Sequence, residues 1–134
     1  MRHNVKKIFL IAGFLVILPV LLNSCGGGGG GSSGDTTASS VQVVSCPTSS
    51  TTNVAIQGFA FSPASVTVTA DSVVKWTNLD NTKHTVTSAT VPANGAFNSA
   101  VLPGASVCLK FTSGGTYNYY CSIHTYMLGV VTVQ

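Results

Sequence analysis

A thiolate, an imidazole and a thioether, each three residues from the next, close a tyrosine-rich run near the C-terminus. The run reads Tyr117-Asn118-Tyr119-Tyr120-Cys121-Ser122-Ile123-His124-Thr125-Tyr126-Met127. Mg²⁺ and Ca²⁺ want oxygen ligands and fit this set poorly. Copper suits it. Sulfur favours Cu(I), imidazole serves both redox states, and a long bond to Met is tolerated as a weak axial contact. The loop lacks one equatorial ligand. Apart from Met1 and His3, the chain holds two histidines, His84 and His124, and one methionine, Met127. Taken singly, each residue has a plain reading: His84 as a turn histidine, Met127 as a gap filler, Cys121 as a small buried side chain. Taken together, with His84 upstream of a strand that ends at Cys121, they point to one copper held by His84, Cys121, His124 and Met127.

The surrounding pattern is β throughout. Short runs rich in Val, Thr, Phe and Tyr alternate with Gly, Pro, Asn and Asp. The pattern predicts strands at about 54–59, 65–70, 73–78, 84–88, 96–98, 106–112, 116–120 and 128–133. Turn signals lie at Ser62-Pro63, Asp80-Asn81, Asn94-Gly95, Pro103-Gly104 and Gly114-Gly115. No helical periodicity of useful length is present. Seven or eight short strands at this spacing imply an all-β Greek-key sandwich. Alternation places Val107, Leu109 and Phe111 on one face, with Cys108 and Lys110 on the other. Val74 and Trp76 share a face, as do Tyr117, Tyr119 and Cys121. Cys121 then points inward at the rim of the sandwich, partly shielded from water.

The first 45 residues read differently. Arg2, Lys6 and Lys7 precede an apolar run from Ile8 to Leu22. Its fifteen residues are short for a ~30 Å hydrocarbon core, and the segment reads as a signal peptide over residues 1–24. Leu22-Asn23-Ser24-Cys25 resembles the bacterial lipoprotein box, which implies lipid on Cys25; the alternative is an ordinary secretory cut that leaves a stray thiol. Gly26 to Gly31 and the Ser/Thr stretch after them cannot bury apolar surface. Residues 25–45 therefore read as a flexible tether with a reach of roughly 25 Å, and residues 46–134 as the compact domain. The chain would then be exported, in the periplasm or outer cell envelope, with the membrane met through the lipid only. In an oxidising compartment, with Cys25 and Cys121 otherwise committed, Cys46 and Cys108 are left to form a disulfide. Two separate free thiols are the alternative.

Arg2, Lys6 and Lys7 carry the net charge of +3; the remaining Lys75, Lys83 and Lys110 balance Asp35, Asp71 and Asp80. A neutral domain lacks the basic face that nucleic-acid binding needs.

The segments Phe59-Ala60-Phe61-Ser62-Pro63, Val73-Val74-Lys75-Trp76-Thr77-Asn78, His84-Thr85-Val86-Thr87-Ser88, Gly115-Thr116-Tyr117 and Cys121 to Met127 resemble the cupredoxins of the plastocyanin/amicyanin group. The resemblance covers about Val54 to Gln134. It implies type I copper on His84, Cys121, His124 and Met127, in a short, amicyanin-like ligand loop. The sequence departs from the group at Thr85, where Asn is frequent, and in a ligand loop without Pro. With every position around the ion filled by protein and none open for substrate, the site reads as a carrier of single electrons and not an enzyme; a monomer is expected. Its partners would be redox proteins such as a c-type cytochrome or a dehydrogenase or oxidase. They would dock on an apolar surface around His124, Tyr126 and Leu128, joined by Val91, Pro92, Leu102 and Pro103. Two other classes are a copper-buffering or copper-delivery protein of the same fold and a disulfide-stapled domain without metal.

Overall fold

The computed structural model describes residues 38–134. The expected signal segment and Cys25 lie outside the described residues. Two five-stranded sheets face each other. In chain order the strands are β1 (Val41–Val44), β2 (Thr51–Ile56), β3 (Phe61–Ser62), β4 (Ser65–Val68), β5 (Val73–Asn78), β6 (His84–Ser88), β7 (Asn98–Val101), β8 (Ser106–Phe111), β9 (Gly115–Tyr120) and β10 (Leu128–Val133). The first sheet runs β1-β8-β5-β2-β3 and the second β4-β10-β9-β6-β7. The architecture is all-β, with no helix among the described residues.

Period-two alternation builds the core between the sheets. Val74 and Trp76 on β5, Leu109 and Phe111 on β8, and Tyr117 and Tyr119 on β9 are buried. Their rings pack edge to face, with Trp76 and Tyr119 at 5.4 Å, Phe61 and Tyr119 at 4.8 Å, and Phe111 and Tyr117 at 4.9 Å. Such pairs add about 0.5–1.5 kcal/mol each beyond their area. The Tyr117 hydroxyl donates a hydrogen bond to the Ser113 carbonyl at 2.8 Å. Tyr119 finds no partner at hydrogen-bonding geometry, nor does the indole N–H of Trp76. Burial pushes the Tyr119 phenol up to about 12, with the nearby indole N–H acting in the opposite direction. Gly129 on β10 lies against this ring: a Cβ there would overlap Cζ of Tyr119. Glycine is thus needed just after the ligand loop so that β10 can pass the buried tyrosine.

Several boundaries differ from the sequence reading, and three of the differences have a clear physical cause. The tether was expected to reach residue 45, but Val41–Val44 pairs antiparallel with β8, from Val41↔Phe111 to Val44↔Cys108. Four residues behind a Ser/Thr-rich run carry little signal of their own; the open edge of β8 recruits them. The strand expected to end at Phe59 stops at Ile56. Gln57 and Ala60 close a turn through reciprocal backbone bonds of 3.0 and 3.2 Å, with Gly58 and Phe59 at positive φ. The strand expected at 96–98 runs from Asn98 to Val101 instead. Its pairing with β6 begins at Thr87↔Asn98, and Ser88 Oγ accepts the Phe97 N–H ahead of it.

Cys46 and Cys108 are bonded across a sequence separation of 62. Cys108 is fully buried although it faces away from the core, because the segment after β1 crosses over it. By the chain-entropy model, a loop of that length contributes about 4 kcal/mol.

Candidate metal centre

The second sheet splits where the site begins. β6 and β9 are in register only at Thr87↔Tyr120 and Ser88↔Tyr119. Beyond that pair β9 turns away into the ligand loop. His84 starts β6 and Cys121 follows β9, both fully buried on the inner face at the rim. The loop is tight: Met127 N–H donates to the His124 carbonyl at 2.9 Å and Cys121 N–H to the Met127 carbonyl at 3.1 Å. It returns Met127, 2% exposed, to the core beside Cys121.

The side chains converge. His84 Nδ1 lies 3.2 Å from His124 Nδ1, and Cys121 Sγ lies 3.8 and 3.6 Å from those two nitrogens. Donors that share one ion at transition-metal bond lengths of about 2.0–2.3 Å sit roughly 3–4 Å apart, so the spacing fits a single ion. Among the described residues, this is the one cluster of His, Cys and acidic groups arranged to hold a metal. Cys121 is the free cysteine of the described chain.

A profile of copper-binding proteins of the plastocyanin/azurin family matches residues 48–134. This chain belongs to that family. It is similar to plastocyanin of Scenedesmus fuscus, with 33% identity over 84 residues that span 55% of this chain and 86% of the plastocyanin. It is also similar to amicyanin-alpha of Methylorubrum extorquens, with 28% identity over 97 residues, 71% of this chain and 82% of the amicyanin. The fold matches that of amicyanin from Paracoccus versutus with a TM-score of 0.63, at 22% identity, covering 72% of this chain and all of the other. The cofactor of this cupredoxin is copper.

Asp80, which the sequence presented only as a turn residue, proves central to the cupredoxin site. Its carboxylate accepts the Gly58 N–H at 2.7 Å and the Phe59 N–H at 3.0 Å, and lies 3.0 Å from His84 Nε2. The Phe59 and Gly58 amides hold its carboxyl below the ordinary 3.8. An ionised carboxylate only accepts, so Nε2 carries the proton and Nδ1 turns its lone pair inward. Asn78 supports this turn. It is fully buried, donates through Nδ2 to the Thr82 and Val101 carbonyls at 2.8 and 2.9 Å, and accepts the Asp80 N–H at 3.0 Å.

The same clasp sets Phe59, whose ring meets His84 at 5.5 Å and His124 at 5.0 Å, edge on in both cases. Phe59 remains 41% exposed and Ile123 48%; neither featured in the expected docking surface. Of the residues that did, Tyr126 and Leu128 are 69% and 65% exposed, and Tyr126 lies 6.3 Å from the His124 ring. Leu102 is exposed one residue beyond Val101, the partner of His84. Val91 and Pro92 were misplaced. Pro92 packs on Gly115 at the start of β9, the end of the strand away from Cys121, and Val91 packs against the core. The connection after β6 follows β9 backwards, with Asn118 N–H bonded to the Thr90 carbonyl.

Replacing Asp80 by Asn leaves one amide to serve as both donor and acceptor where three N–H groups need acceptors. Asp80→Asn is expected to mix the His84 tautomers in copper-free protein, as read from imidazole nitrogen shifts. It should also weaken copper binding by about ten- to a hundredfold in competition titration. An unchanged Nε2–H signal would remove Asp80 from this role.

Proposed function

We propose that this cupredoxin carries single electrons between redox proteins of the cell envelope, with copper held by His84, Cys121, His124 and Met127. The observation that carries the proposal is the inward convergence of the two Nδ1 atoms and the Cys121 sulfur at the buried rim. Bound copper supplies a one-electron couple tuned by its ligands. The protein's part is to keep those ligands still. His84 is anchored on a strand and by Asp80, and Cys121 at a strand end by the Thr85 N–H at 3.3 Å. Met127 is held by the backbone of the loop. Four protein donors fill the positions around the ion, whereas catalytic metal sites keep one open. Burial of the sulfur also argues for a carrier over a delivery protein, which must expose its metal to hand it on.

His124 is the one proposed ligand that is only part-buried. Phe59, Ile123 and Tyr126 around it form an apolar surface suited to a small transient redox interface. A c-type cytochrome, or a dehydrogenase or oxidase, is the partner class this favours, with Leu128 at the margin. The N-terminal motif supports export as a lipoprotein anchored through Cys25, with the Gly/Ser run as spacer.

Cys121→Ser is expected to abolish the intense visible band of the copper protein, and Met127→Gln to retain copper at a shifted potential. An intense band that survives Cys121→Ser would refute the ligand set. For docking, Tyr126→Lys should slow electron transfer to a cytochrome without bleaching the copper. A steep fall in rate with salt would move the contact elsewhere. For anchoring, wild type should enter the detergent phase and Cys25→Ala the aqueous phase; equal aqueous recovery of both would show a soluble protein.

A further inference from the structure

The outer face of the split between β6 and β9 carries a row of hydroxyls. Thr85 Oγ1 accepts the Ser122 N–H at 2.7 Å and lies 3.0 Å from Ser122 Oγ. Thr87, two residues along the same strand, lies 2.9 Å from Thr85 Oγ1 and 2.9 Å from Asn98 Oδ1, oriented to donate to each. Thr85 is 7% exposed, and its own N–H donates to Cys121 Sγ. One residue therefore holds both the sulfur and the amide that follows it.

We infer that Thr87 and Asn98 are positioning residues of the copper centre, acting through Thr85 on the Ser122 amide. The proton count carries the inference. Thr87 has one hydroxyl proton for two acceptors. When the exposed Asn98 carboxamide turns over, Nδ2 donates to Thr87 Oγ1, and the Thr87 proton goes to Thr85. Thr85 Oγ1 then accepts twice, from Thr87 and from the Ser122 N–H, so its own proton is directed to Ser122 Oγ. Every member is satisfied, and each bond polarises the next. A threonine has one rotatable hydroxyl and cannot by itself fix both bonds to Ser122; Thr87 locks that rotor. The chain runs across two strands, from Asn98 on β7 to the loop residue bonded to Cys121.

The inference rests on the copper reading for its functional meaning, but its first arm needs no metal. In copper-free protein, Thr87→Val should speed hydrogen exchange of the Ser122 amide by about twofold to fivefold, up to the weight of one ordinary hydrogen bond. Thr87→Ser should restore the wild-type rate. Asn98→Asp can only accept, so it should draw the Thr87 proton away and match Thr87→Val. In copper-loaded protein, Thr87→Val should shift the reduction potential in the direction of Thr85→Val and by less. In the Thr85→Val background it should shift nothing further, since its route is gone. A Ser122 exchange rate and a potential unchanged by Thr87→Val would overturn the inference. So would a Thr87 effect that persists without the Thr85 hydroxyl. Wild-type exchange in Asn98→Asp would remove Asn98 from the chain. Wild-type protein that takes up no copper would sink the copper reading alone, and the exchange arm would still stand.

Discussion

The parting of β6 from β9 is the constraint on which the centre depends. In an unbroken antiparallel ladder, the Thr85 N–H would face a backbone carbonyl. Here the register ends at Thr87↔Tyr120, and a buried N–H left without a partner would cost about 1–3 kcal/mol. The Cys121 sulfur takes its place at 3.3 Å. The Ser122 N–H, displaced in the same way, goes to the Thr85 hydroxyl. A sheet defect is thereby converted into a support for the Cys121 sulfur, and the inward parity of His84 and Cys121 leaves their side chains facing each other across the gap.

A second support comes from the first sheet. Asn78 ends β5 and spans to the Val101 carbonyl of β7, so the two sheets are tied at the rim by a side-chain amide bond. From that tie hangs the Asp80 turn, which fixes the outer nitrogen of His84 and the Gly58–Phe59 turn together. The left-handed backbone of Phe59 is one that non-glycine residues seldom adopt. It persists because the surroundings hold it, and the return is a ring set against both imidazoles.

What could be read from the chain and what could not divide along physical lines. The clustering of His84, Cys121 and His124 was legible because these residue types are scarce and two of them share one loop with Met127. The inward face of Trp76, Phe111 and Tyr119 was legible because alternation is local. The pairing of Cys46 with Cys108 rested on elimination, and the bonded pair lies where the alternation of β8 left room for it. Asp80 was illegible because its three acceptor bonds reach 21 and 22 residues back as well as four forward. Phe59 looked like strand because nothing in its own neighbourhood announces the turn that Asp80 stabilises. Val41–Val44 looked like tether because its stability lies in the edge of β8. Val91 and Pro92 were misjudged because the direction of a loop across a sheet is a tertiary property that composition does not carry.

The distribution of charge completes the logic. Asp71 is paired with Lys110 at 2.8 Å, beside the far end of β8, where exposure leaves the pair worth little. Asp80 is turned inward, its oxygens occupied by two amides and an imidazole. Lys83, just before His84, is the exposed charge nearest the centre in sequence. On the proposed function, a partner approaching this end would meet apolar side chains and almost no field, so long-range steering would contribute little to encounter. Rapid turnover at such a surface has to come from the centre itself. It requires ligands that are already where both oxidation states need them, on a contact small enough to release after a single electron. On the proposed function, the clasp of Asp80 and the split ladder at Thr85 would meet the first requirement, and the modest cluster of Phe59, Ile123 and Tyr126 the second.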